Sequence, residues 1–204
     1  LSTIDGGVKR LETLLWGGDE MVWVVPSWQV WPVLTAFFDA TRDWPHGMTH
    51  AGGVVVCHHK TPIRQVVALA HDLADRAKAT TRTANAIQIE ILESLDIPER
   101  YLDRQRRALF GTGVNDDAFT LRGEDWTALT ARLIRIRAED GFPRSQLYRL
   151  LRKTRDDQRA LTRPVGDELA AVLLKGKYPA LEDGDLCADP VDLARIATFW
   201  DYVR

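Results

Sequence analysis

The feature that most narrows what this chain can fold into is Gly17-Gly18, set between two apolar runs. Leu11 to Trp16 reads as one strand, and Met21 to Val25, rich in β-branched and aromatic residues, as a second and buried one. Glycines between two strands mark a tight hairpin turn, because glycine takes the positive φ values of such turns without steric cost. The hairpin delivers two adjacent carboxylates, Asp19 and Glu20, to the mouth of a sheet. Carboxylates there can hold a hard divalent cation that in turn binds phosphates.

The elements after the hairpin alternate. Pro26-Ser27 reads as strand exit and helix cap, and Val30, Leu34, Phe37, Phe38 and Thr41 follow helical spacing to about Asp43. Pro32 removes an interior N–H donor, so this helix is expected to begin irregularly or only at Trp31-Pro32. Ala51 to Cys57 is a continuous small and apolar run, as expected of a central strand covered on both faces. Thr61 reads as an N-cap with Pro62 at the first helical position, and Ile63, Val66, Val67, Ala70, Leu73, Ala74 and Ala77 mark one face of a helix to about Lys78. From Ala86 to Leu92, Ile87, Ile89 and Ile91 alternate with Gln88 and Glu90, the pattern of a half-buried strand. The order β-hairpin, α, β, α, β argues for helices packed on a sheet.

The character changes at Ile97-Pro98, where strand signals stop and arginine becomes frequent. Residues 99–122, with Gly111-Thr112-Gly113 and Asn115-Asp116-Asp117, read as loop. Trp126, Leu129, Leu133 and Ile136 mark a helix ending near Gly141. Further helices are expected after Pro143 through Leu150-Leu151, from about Val165 to Leu174, and from Asp189-Pro190 with Leu193, Ile196, Ala197 and Trp200 inward. The expected organisation is an α+β domain over 1–97, a linker over 98–122 and a small all-α domain over 123–204.

Composition sets outer bounds. With 45% hydrophobic and 27% charged residues the chain buries a core and is not disordered. A formal net charge of -2 gives no sign of a nucleic-acid partner for the chain as a whole. Cys57 and Cys187 lie far apart, with neither a disulfide framework nor CxxC zinc spacing, so the reading is a reducing, cytoplasmic location. No apolar run approaches the ~20 residues of a membrane span, and no signal peptide is evident. Residue 1 is leucine, which leads to the expectation of a piece of a longer or processed polypeptide.

The order of elements and Trp16-Gly17-Gly18-Asp19-Glu20 resemble the nucleotide-cyclase-like palm, a ferredoxin-like fold. Within that superfamily the chain looks most like the large polymerase/cyclase subunit of type III CRISPR effector complexes. The likeness extends over Thr49 to Pro62 (THAGGVVVCHHKTP), over Ala70 to Lys78 followed by Asn85 to Ile89, and over Phe142 to Leu151 (FPRSQLYRLL). The resemblance implies antiviral defence by synthesis of cyclic oligoadenylate from ATP with Mg²⁺ or Mn²⁺. It also implies other effector subunits and guide and target RNA as partners. By motif position Asp19 would bind metal, Glu20 would bind metal or position water, and both would be catalytic. Gly17 and Gly18 would let backbone approach the nucleotide, and Lys78 would reach its triphosphate. Two departures stand out. Glu20 occupies a place where the family usually has a second aspartate, and its extra methylene moves the carboxylate by about 1 Å, a misplacement that can cost ~10²-fold in rate. The strand and helix that precede the hairpin in such palms have no counterpart here, nor do the nuclease-like domain and zinc insertion. Taken alone, the fragment is expected to be inactive.

Several residues carry a plainer reading beside the functional one. His58-His59, with His50, suggests a metal site, but strand neighbours point to opposite faces and no carboxylate or cysteine sits at ligand spacing. Lys78 also suits a solvated helix end, complementing the dipole. The seven basic residues Arg144, Arg149, Arg152, Lys153, Arg155, Arg159 and Arg163 suit RNA backbone, an acidic partner or a solvated face. Trp23, Trp28, Trp31, Phe37 and Phe38 read as core or subunit contact. Two alternative functions stand beside the first. One is a diguanylate cyclase, although Met21 and Trp16 fill the places where its motif carries phenylalanine and a basic residue. The other is a non-catalytic scaffold that binds RNA or other effector subunits.

Overall fold

The structure, a computed structural model, describes residues 11–44, 47–92, 102–110, 119–138, 142, 144–145, 147–149, 152 and 190–201. The expected loop motifs at 111–117, the helix over 165–174 and Cys187 lie outside the described residues. Most of the expected basic run, including Lys153, Arg155, Arg159 and Arg163, does too.

The chain is α+β, with two small sheets among the described residues. Strands β1 (Glu12–Gly17) and β2 (Glu20–Val24) form an antiparallel hairpin. Strands β3 (Ala51–Val56), β4 (Ala86–Ile91) and β5 (Thr120–Arg122) form a second sheet in the order β3-β4-β5. Here β3 runs parallel to β4 and β5 antiparallel to it. The helices are α1 (Val30–Thr41), α2 (Ile63–Thr80), α3 (Leu102–Phe110), α4 (Gly123–Ala138) and α5 (Pro190–Phe199).

Proline chemistry explains how α1 begins. Ser27–Gln29 form a 3-10 turn closed by the Gln29 N–H on the Pro26 carbonyl at 2.8 Å, and the α-helix starts at Val30. Pro32 then falls in the first helical turn, where its missing N–H would have no intrahelical acceptor. The start of α2 differs by one residue from expectation. The Pro62 carbonyl accepts from Gln65 and Val66 (3.0 and 3.1 Å) and Pro62 has extended ψ, so proline is the cap and Thr61 lies outside the helix.

The three-stranded sheet is covered on both faces. Ile87 and Ile89 face a cluster that includes Trp31, Phe119, Leu121, Trp126, Leu129, Leu133, Ile136, Leu147, Ile196 and Phe199. Helices α1, α4 and α5 thus form one layer. On the other face α2 packs so closely that a Cβ on Gly53 would stand 1.8 Å from the Ala70 carbonyl oxygen, so only glycine fits. Leu69, Leu73, Leu92 and Leu102 form the apolar cluster there.

Three expectations need correction. Among the described residues the run from Ala51 stands at the edge of its sheet and not at its centre; β5 pairs with the far side of β4 and makes β4 central. The half-buried reading of β4 fails on its polar side, where Gln88 is 0% and Glu90 7% exposed because α3 covers them. Within the stretch read as loop stand α3 and the short β5. Trp126, Leu129, Leu133 and Ile136, the expected stripe of α4, are all buried, as are Ile196 and Ala197 of α5. Trp200 is half-buried, stacked on Phe142 at 5.5 Å between ring centroids.

Candidate functional site

The hairpin turn is tighter than its glycines suggest. Gly17 pairs with Glu20 and ends β1, so the turn residues are Gly18 and Asp19, with Gly18 at φ +60°. That left-handed conformation is why glycine is needed at Gly18. A register shift between Thr13 and Leu15 bulges β1 at Leu14. The second strand is not buried as expected: Glu20 and Val24 are exposed and Met21 to Trp23 half-buried. The cause is that, among the described residues, neither edge of the hairpin pairs with the larger sheet.

Asp19 and Glu20 are exposed at the tip. Glu20 Oε1 lies 3.9 Å from Nδ1 of His71 on α2, a residue sequence reasoning did not single out. Trp23, three residues along β2 and therefore on the opposite face, sets its ring edge-on to Phe37 of α1 at 5.5 Å. Opposite faces of the hairpin therefore meet helices of opposite layers. The hairpin thus touches α1 through Trp23 and α2 through Glu20, while every residue of β1 stays exposed. Phe37 also touches His50, the residue before β3, at 4.9 Å between ring centroids.

Lys78 is exposed in the last turn of α2, seven residues beyond His71 and so on the same side of the helix. No hydrogen bond or ion pair joins it to Asp19 or Glu20 among the described residues. His50 stands apart from His58 and His59, since a six-residue strand of roughly 20 Å separates them. His58 and His59 do not point to opposite faces. Both lie beyond the strand end, with their ring centroids 4.1 Å apart. Among the described residues no group of three or more His, Cys, Asp or Glu could hold a metal ion. The donor chemistry of the tip nonetheless fits one kind of site. Mg²⁺ is commonly bound by one or two carboxylates with substrate phosphates and water completing its shell. Asp19 and Glu20 are two such carboxylates, exposed to solvent.

Two arginines are held by contacts within the chain. Arg106 of α3, 2% exposed, donates to Glu90 Oε2 through Nε (3.0 Å) and Nη2 (2.9 Å) and to Gln88 Oε1 at 3.3 Å. Its guanidinium lies 4.2 Å from the centre of the Phe119 ring, and Gln88 donates to Thr120 Oγ1 at 3.0 Å. Polar residues on a strand that is otherwise apolar were the available signal for this network. Arg144, part of the expected basic patch, is committed within the chain. It donates to both carboxylate oxygens of Asp201 (3.0 and 2.6 Å) and to the Tyr148 hydroxyl at 2.9 Å.

No family model, no curated protein and no solved structure matches this chain. Among the described residues no helix is long and apolar enough to cross a membrane.

Proposed function

We propose that the chain is a palm-type, nucleotide-handling domain related to the large polymerase/cyclase subunit of type III CRISPR effector complexes. The observation that carries this reading is the acid-tipped hairpin, turned at a left-handed Gly18, with Trp23 against Phe37 of α1 and Glu20 near His71 of α2. The β3-α2-β4 unit that follows has the order of elements of the palm. The outer edges of β2 and β3 are unpaired among the described residues. They leave hydrogen-bonding room for a further strand, such as the one that precedes the hairpin in the resembled palm.

In this reading Asp19 and Glu20 hold Mg²⁺ or Mn²⁺ with the phosphates of ATP. The ion would supply charge neutralisation at a phosphate whose transfer otherwise meets strong repulsion. Gly17 and Gly18 keep side chains clear of the nucleotide, and Lys78 offers a cation along the same side of α2 as His71. The product would be cyclic oligoadenylate, made in the cytoplasm by the subunit assembled with its effector partners and RNA.

A second reading is a non-catalytic scaffold. It draws on the surroundings of the tip, where among the described residues the ion-pair neighbour of Glu20 is a histidine at 3.9 Å. Labelled ATP or GTP with Mn²⁺, given to the chain within its assembled complex, separates these readings. Oligoadenylate that is lost in Asp19→Ala supports the first. A cyclic GMP dimer would make the protein a diguanylate cyclase, and intact assembly with no product would make it a scaffold.

A further inference from the structure

Among the described residues, nothing in the chain itself requires glycine at position 17. Gly17 does not share the left-handed conformation of Gly18, and a Cβ on it would meet nothing within 4 Å. Glycine inside a strand is a loss in backbone entropy, and here neither conformation nor packing offsets it. A Cβ on Gly18 would likewise meet nothing within 4 Å. The end of the hairpin is therefore open around both glycines.

Beside this opening stands Trp16. It is 72% exposed, more than any other large apolar side chain among the described residues. Its pairing with Met21 puts it on the rung next to the tip pair Gly17 and Glu20, about 3.3 Å along the strand. The indole leans on Trp23 at 6.5 Å between ring centroids, tilted by 49°, and Trp23 is itself set against Phe37 of α1. One side of the ring is thus backed, while most of its surface is open. Residues paired across two strands share a face, so Trp16, Met21 and Trp23 lie on the α1 side of the hairpin. Glu20 lies on the α2 side, and Asp19 stands in the turn between the two. A nucleotide held at the tip by its phosphates carries a flat aromatic base within one sugar's length of them. The way from the tip to the indole passes Gly17, where no side chain intervenes.

We propose that Trp16 is the platform on which the nucleobase stacks while the phosphates stay with the ion at Asp19 and Glu20. The inference rests on the metal–nucleotide reading of the hairpin and adds a substrate-positioning residue to it. Stacking on an aromatic ring tolerates any base, since every base has a π-face. Trp16 therefore adds affinity for a nucleotide over bare polyphosphate and leaves the choice of base to other groups.

The test compares ATP with tripolyphosphate, which has the phosphates without base or sugar, by calorimetric titration of the whole chain in Mn²⁺. The wild type is expected to bind ATP roughly tenfold more tightly than tripolyphosphate. Trp16→Ala should melt close to the wild-type temperature, because the ring is largely exposed. It should bind tripolyphosphate as before and lose the preference for ATP. Trp16→Phe, which keeps a π-face, should retain most of that preference. Equal binding of the two ligands by the wild type, or an undiminished preference in Trp16→Ala, would overturn the platform and leave the hairpin reading standing. A preference lost as fully in Trp16→Phe as in Trp16→Ala would overturn it too, since the ring face would not be what matters. Binding of neither ligand would remove the hairpin reading and the platform with it.

Discussion

His50 joins the hairpin region to the sheet. Its N–H donates to Asn85 Oδ1 at 2.8 Å and its carbonyl accepts from Ala86 at 2.9 Å, which fixes the start of β3 against β4. Its ring lies between Phe37 and Trp44, with Nε2 buried and unpartnered. Burial pushes its pKa below the ordinary 6.5. The neutral ring is therefore favoured in the folded state more than in the unfolded one. Stability from this group is present above the unfolded value and is lost as pH falls through it toward the lowered folded value. Melting temperature should accordingly drop between about pH 7 and pH 5, and His50→Phe, which keeps an aromatic ring, should flatten that slope. An unchanged slope in the variant would assign the pH response to other groups.

At the scale of elements, the binding of α3 to the sheet is the least expected feature. Its apolar anchor is Leu102, packed with Leu69, Leu73 and Leu92, and its polar one is Arg106 on Glu90 and Gln88. Arg76 of α2 adds a more exposed tie, reaching Asp72 at 3.0 Å and Asp103 of α3 at 2.5 Å. Removing one partner of a buried pair leaves the other charge stranded. Arg106→Met should therefore cost about 3–5 kcal/mol in chemical denaturation, and Arg106→Met with Glu90→Met should recover much of that loss. A single variant as stable as the wild type would mean that α3 is held by its apolar contact alone.

These elements were unequally legible. The helical stripes of α2 and α4 and the isoleucine alternation of β4 read directly, because long amphipathic segments carry their period in the residue order. What covers the other side of β4 did not read. Arg106 lies 16 positions from Glu90 in a segment without apolar periodicity, and only tertiary packing brings them together. The three residues of β5 are too few to show a period, so the change of β3 from central to edge strand was hidden with it. Pro32 signalled an irregular helix start correctly, and the 3-10 turn supplied its form. At the candidate site the hairpin was visible from Gly17-Gly18, although the turn itself falls one residue later, at Gly18 and Asp19. His71 was not, since one exposed histidine on a helix carries no local signature.

For the molecule as a whole, the described parts on either side of residue 98 share one apolar cluster. Trp31 of α1 stacks on Trp126 of α4 at 3.9 Å between ring centroids, and Trp126 Nε1 donates to Thr35 at 2.9 Å. That cluster and α2 form the layers on the two faces of the sheet, and the hairpin touches α1 of the first and α2 of the second. The arrangement leaves Leu14, Leu15, Trp16 and Val24 exposed on the hairpin. An apolar surface of this kind, on strands whose outer edges are unpaired among the described residues, is where the proposed effector partner would dock. The central claim is that Asp19 and Glu20 carry a divalent ion together with nucleotide. It is tested most directly by titrating Mn²⁺ into the chain with and without ATP and following free Mn²⁺ by electron paramagnetic resonance. The account predicts Mn²⁺ uptake that ATP strengthens and that Asp19→Asn with Glu20→Gln abolishes. Equal uptake by the wild type and the double variant would contradict it.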